Sequence, residues 1–90
     1  MFVSWGVETA KVFSKDELNE LLVQLTCEEK YGIVLRAKGI VAGNGEWIHF
    51  DYIPGEADVR VGSAGIIGRL CVIGSKLNKA ALAELFGVKN

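Results

Sequence analysis

The 90-residue sequence predicts an α+β fold, a two-layer sandwich in which a mainly antiparallel sheet of four to five strands carries two helices on one face. Three observations lead there. From Ile33 to Ile53 apolar and polar residues alternate on either side of Asn44-Gly45, the pattern of a β-hairpin. Ser14-Lys15-Asp16-Glu17 precedes Leu18, Leu21, Leu22 and Leu25, whose spacing is that of one helix face. A second such stripe, Leu82, Leu85 and Phe86, lies near the C-terminus.

Taken in order, Phe2 to Phe13 contains an extended segment in which Val3, Trp5 and Val7 project to one side and the β-formers Thr9 and Val12 carry it onward. Ser14 and Glu17 then form a capping box. The Ser14 hydroxyl can accept from the Glu17 amide, and the Glu17 carboxylate can accept from the Ser14 amide. The first helix starts there and should end near Cys27 to Lys30, with Asn19, Glu20 and Gln24 left for solvent.

The hairpin's register can be argued from its side chains. With Asn44-Gly45 as the two turn residues, both able to take positive φ, Val41 faces Ile48, Gly39 faces Phe50 and Ala37 faces Tyr52. That face is wholly apolar. The other face sets Ile40 beside His49, Arg36 beside Ile53, and Lys38 across from Asp51 as a cross-strand ion pair. A slip of one residue would exchange the faces and lose both matches.

Pro54-Gly55 breaks the second arm, and a short strand from Asp58 to Val61 follows. Gly62-Ser63-Ala64-Gly65 and Gly68 make a flexible connection around Ile66 and Ile67, whose packing the sequence leaves open. Arg69 to Ile73 is apolar enough to be an internal strand, ended by Gly74-Ser75. Asn78 can cap the second helix and Gly87 can stop it. The order is β-α-β-β-(β)-β-α, a ferredoxin-like arrangement in one domain spanning residues 1–90.

Ten Lys plus Arg stand against eleven Asp plus Glu, so the surplus of clustered positive charge that nucleic acid or an anionic membrane requires is missing. Neither is an expected partner. Trp47 flanks the second hairpin face, but Arg36 to Val41 lacks the alternating aromatics of an RNA-binding sheet. No apolar run approaches the roughly 18 residues needed to cross a bilayer. The first five residues resemble no signal peptide, so cytoplasmic residence is expected. Cys27 and Cys71 lie far apart without CxxC spacing, and in a reducing compartment they are expected as buried or half-buried free thiols.

No window fits GxxxxGK[ST]; Gly74-Ser75-Lys76, the nearest fragment, reads as a turn. His49 is the only histidine. A surface metal site of His49 with Asp51 has two ligands where zinc takes three or four, and Cys27 with Glu28 and Glu29 at a helix end would hold a soft metal only loosely. A half-exposed strand histidine and a solvated helix end account for them better, and no metal or other cofactor is expected. The serines have cap, turn or edge positions, and one histidine without a supporting motif makes no nucleophilic centre. The sequence therefore does not read as an enzyme.

Leu35-Arg36-Ala37-Lys38-Gly39-Ile40-Val41 resembles the R-x-K-G strand of the C-terminal domain of CobW-type proteins, the cobalamin-synthesis-protein-like GTPases. Arg69-Leu70-Cys71-Val72-Ile73-Gly74, with Leu77 and the helix from Lys79 to Phe86, is similar to that domain's closing segment. The resemblance runs through nearly the whole chain in order. It implies a domain that lies downstream of a P-loop GTPase domain in metal-handling GTPases or metallochaperones serving cobalt, zinc or nitrile hydratase. Their GTPase motifs and Cys-rich metal motif belong to the N-terminal domain, so neither carries over to these residues. What carries over is positional: Arg36, Lys38 and Gly39 in the R-x-K-G motif, and Val72, Ile73 and Gly74 in the closing strand. The His-rich segments of some members have no counterpart.

The resulting expectation is a non-catalytic accessory module that docks a CobW-type GTPase domain, a client metalloprotein or a second copy of itself. Arg36, Lys38, Trp47, His49 and Asp51 are its expected contact face. The alternative is a small metal-ion or ligand sensor built on His49 and the Glu-rich helix end.

Overall fold

The computed structural model describes residues 1–89. Its elements run β1 (Val3–Thr9), α1 (Lys15–Gln24), α2 (Glu28–Tyr31), β2 (Ile33–Ala42), β3 (Trp47–Ile53), β4 (Glu56–Gly62), β5 (Gly68–Ser75) and α3 (Lys79–Phe86). One sheet has the order β1-β5-β2-β3-β4, and every neighbouring pair is antiparallel. Because β5 runs against both of its neighbours, β1 and β2 are parallel to each other with β5 between them. That is the split β-α-β unit of ferredoxin-like folds, extended on the far side by the meander β2-β3-β4. The α+β reading stands.

The hairpin register is the one argued above: Val41 faces Ile48, Gly39 faces Phe50, Ala37 faces Tyr52 and Lys38 faces Asp51. The turn itself differs. Gly45 has φ +77°, whereas Asn44 stays at negative φ, so only one of the two turn residues uses the left-handed region. The Gly43 amide donates to the Glu46 carbonyl at 2.7 Å and closes the loop. The turn at Pro54-Gly55, with Gly55 at φ +83°, lets the next strand begin at Glu56, two residues earlier than Asp58.

Two further boundaries depart from expectation for local reasons. β1 stops at Thr9 because its partner β5 begins at Gly68; the chain then crosses to β2, touching it at Val12 beside Ala42 and through Phe13, whose amide donates to the Ala42 carbonyl at 2.9 Å. The first helix ends at Gln24, and a separate one-turn helix, α2, follows it, so the described residues hold three helices and not two. On one continuous helix Tyr31 would sit about 240° around from Leu25. The break lets both be buried, at 2% and 1% exposure. Amides of Leu25, Thr26 and Cys27 each reach back three residues to tighten that end, and the Thr26 hydroxyl donates to the Val23 carbonyl.

The expected caps form. Ser14 and Glu17 bond reciprocally, Asn78 accepts from the Ala81 amide, and Gly87 at φ +71° ends α3 while the Val88 amide reaches back to Ala83. The Lys11 ammonium donates to the Phe86 carbonyl at 2.7 Å, placing a cation at the C-terminal end of α3. Leu18, Leu22, Leu82 and Phe86 are fully buried against Ala37, Val41, Ile48, Phe50, Leu70 and Val72. Phe86 stacks on both Trp5 and Phe50, with ring centroids 5.9 and 6.3 Å apart.

Among the described residues, the Tyr52 hydroxyl is a buried polar atom that lacks a well-formed hydrogen bond. Burial pushes its pKa above the ordinary value of 10.0, with a small opposing contribution from the Gly55 backbone. A raised folded-state pKa means the fold favours the protonated phenol. The associated stability is present below the ordinary tyrosine range and is lost as pH climbs through the folded value. Tyr52→Phe should therefore leave neutral-pH stability unchanged or slightly raised, and should lose less of it than the parent at alkaline pH. Urea midpoints of both proteins on either side of pH 10 check this.

Candidate functional site

The helices cover one face of the sheet and leave the other open. Side chains alternate, so the register dictates what the open face carries. One rung across the strands reads Glu8, Arg69, Ile40, His49, Arg60; the next reads Gly6, Cys71, Lys38, Asp51, Asp58. All five expected contact residues, Arg36, Lys38, Trp47, His49 and Asp51, lie on this face.

Their pairing is not the expected one. Asp51 faces Lys38 in register, but its carboxylate takes the Arg36 guanidinium at 3.4 Å and that of Arg60 at 3.0 Å. Arg60 reaches Asp58 as well, at 2.7 Å. Planar guanidiniums bridge two carboxylates more readily than an ammonium does. The hydrogen bond to Asp51, with Asp58 behind it, raises the Arg60 pKa further, so it stays charged. Arg69 pairs with Glu8 at 2.9 Å across the outer strands. Among the described residues Lys38 has no ion-pair or hydrogen-bond partner. These are surface pairs, and each contributes at most about 1 kcal/mol.

His49 is held by its surroundings. Its Nε2–H donates to the Ser63 carbonyl at 2.8 Å, which fixes the tautomer. A Cβ on Gly62 would fall 2.5 Å from the ring, so glycine there is what seats the imidazole. The connection after Gly62 then folds over the face. A Cβ on Gly65 would meet the Trp47 ring at 3.3 Å and Ile40 at 3.6 Å. The question left open about the two isoleucines is answered: Ile66 is fully exposed and Ile67 is 40% exposed. Together they wall a groove of about 970 Å³ whose lining also includes Gly6, Lys38, Ile40, His49 and Cys71.

Both cysteines are free thiols; Cys71 is half-buried on the groove floor, while Cys27 is exposed and not buried as expected. No group of three or more His, Cys, Asp or Glu side chains gathers among the described residues. No helix there is long and apolar enough to cross a membrane. Arg60, Arg69 and Cys71 belong to the face but were not singled out by sequence. Arg60 was legible in principle, since it follows from extending the hairpin register into the next strand. Cys71 was not, because it depends on which strand pairs with Lys38.

The two segments that carry the family resemblance are neighbours, with Arg36 facing Ile73 and Lys38 facing Cys71. Their glycines are packing positions. A Cβ on Gly39 would lie 2.5 Å from both the Arg69 carbonyl oxygen and the Phe50 ring, and one on Gly74 would strike the Ile33 carbonyl. Val72 between them is fully buried.

The sequence model of the family described as cobalamin synthesis protein cobW C-terminal domain matches residues 2–88. Among solved structures, the chain is similar to the Zn(II)-bound YjiA GTPase from E. coli, with a TM-score of 0.74 and 18% identity over 99% of this chain and 30% of that one. It is similar also to a Zn(II)-bound triple mutant of YjiA GTPase, with a TM-score of 0.76 and 19% identity over the same shares. At these identities the likeness shows the fold. The chain thus spans about 30% of the length of the GTPase chains it matches. No curated protein sequence matches it.

Proposed function

The chain belongs to the cobW C-terminal domain family, and from that premise we propose that it is a non-catalytic accessory module that docks a CobW-type GTPase domain through its open sheet face. One observation carries the reading. The sheet is covered by helices on one side only, and the bare side holds Ile40, Ile53 and Ile73, each at least 38% exposed, among ordered ion pairs. Apolar side chains held between paired charges suit a protein contact, where Trp and Arg are enriched as anchors. The similarity to part of a longer GTPase chain supports a GTPase domain as the partner over a client metalloprotein or a second copy. A metal sensor draws less support, since its one histidine already spends Nε2 on the Ser63 carbonyl.

The test is a backbone-amide NMR titration of the labelled chain with a separately purified CobW-type GTPase domain. Resonance changes should cluster on Arg36, Lys38, Trp47, His49 and Asp51. Changes confined to α1 and α3, or none at all, overturn the reading.

A further inference from the structure

We infer that the groove on the open face takes a short acidic segment of the partner, seating one carboxylate on Lys38 with flanking aliphatic side chains against Ile40, Ile66 and Ile67. This rests on the docking reading and names the chemistry of the contact.

The argument is one of shape and charge. Gly6 and Cys71 are the smallest side chains on their rung; Cys71 stands directly beside Lys38 and Gly6 beyond it, so the sheet dips there between the Glu8–Arg69 pair and Ile73. Arg36, Arg60 and Arg69 each hold a carboxylate, which leaves Lys38 as the cation of this face without one among the described residues. The acid facing Lys38 in register is turned away to two arginines. The groove lining carries Lys38, Arg60 and Arg69 against Glu8 and Asp51, an excess of one positive charge on a chain whose net charge is −1. A cationic segment would meet the unpaired ammonium in the dip. An acidic one completes its pairing while the exposed isoleucines cover the aliphatic neighbours.

The probes are capped octapeptides alternating leucine with glutamate, glutamine or lysine, titrated into the labelled chain by NMR. The glutamate peptide should shift Lys38, Ile40, Ile66, Ile67 and Cys71, and should bind more weakly as salt is added. Lys38→Met, which keeps most of the side-chain stem, should weaken it about fivefold or more. Ile66→Ser, at a fully exposed position, should weaken it without altering the rest of the spectrum. Equal binding of the lysine peptide, or an unchanged affinity in Lys38→Met, overturns the inference. So do shifts that follow protein concentration alone, which would make the occupant a second copy. If the GTPase domain perturbs the face while the glutamate peptide does not, the docking reading survives and the acidic segment falls.

Discussion

Phe86→Ala should cost about 3–5 kcal/mol, the range for removing a buried aromatic ring. The position joins elements that are remote in sequence. Phe86 is fully buried in the last turn of α3, and its ring stacks on Trp5 from the edge strand β1 and on Phe50 from β3, so it bridges strands three places apart in the sheet. No flexible side chain stands ready to refill the space, because Leu82, Leu18 and Leu22 around the core are already fully packed. A chain of 90 residues has on the order of 5–13 kcal/mol of stability in all, so the variant should be near its folding threshold. Urea unfolding should give a much lower midpoint with an unchanged slope. A loss below about 1 kcal/mol would show that the ring does not tie the layers together. Leu85→Ala, one residue away on a half-buried position, should cost distinctly less and serves as the internal comparison.

The layers, the hairpin register and the capping of both main helices were legible because each follows from local rules. Alternation fixes strand faces, and a Ser/Glu pair three apart fixes a helix start. The register of Gly39 against Phe50 could be read because a small residue opposite an aromatic is matched by sequence alone. What could not be read depends on strand order. That β5 inserts between β1 and β2 decides where β1 ends, sets Cys71 beside Lys38 and brings the two motif segments together. Nothing local to any of those residues encodes it.

The open sheet face was legible in membership and not in wiring. Arg36, Lys38, Trp47, His49 and Asp51 do share one surface, as alternation requires, yet the Lys38–Asp51 ion pair expected from direct opposition is replaced by Arg36–Asp51–Arg60. Direct opposition sets which Cα atoms are close. The longer, planar guanidiniums reach diagonally and take the carboxylate. The exchange leaves the Lys38 ammonium at the centre of the face without a partner among the described residues.

Gly74→Ala should be as damaging as the loss of Phe86, for the opposite reason. In the present backbone an added Cβ would lie on the Ile33 carbonyl oxygen and 2.9 Å from the Leu77 side chain. Leu77 could turn aside, but the carbonyl cannot without opening the β2–β5 pairing at Val34 and Gly74. The ladder has little slack there, since the register already shifts by one residue between Val34 and Arg36, leaving Leu35 as a bulge. A second close approach, where Gly32 abuts the Lys76 carbonyl, lies immediately beyond and binds the same corner. Overpacking ordinarily costs about 1–3 kcal/mol, and because the obstacle here is backbone the expected loss is at the upper end or beyond. Gly6→Ala is the control: its Cβ would meet the nearest atom, the Leu70 carbonyl oxygen, at 3.5 Å, an ordinary contact, so stability should be nearly unchanged. Urea midpoints of the two variants should differ sharply. Equal and small effects would mean that the close approach at Gly74 does not constrain the β2–β5 corner.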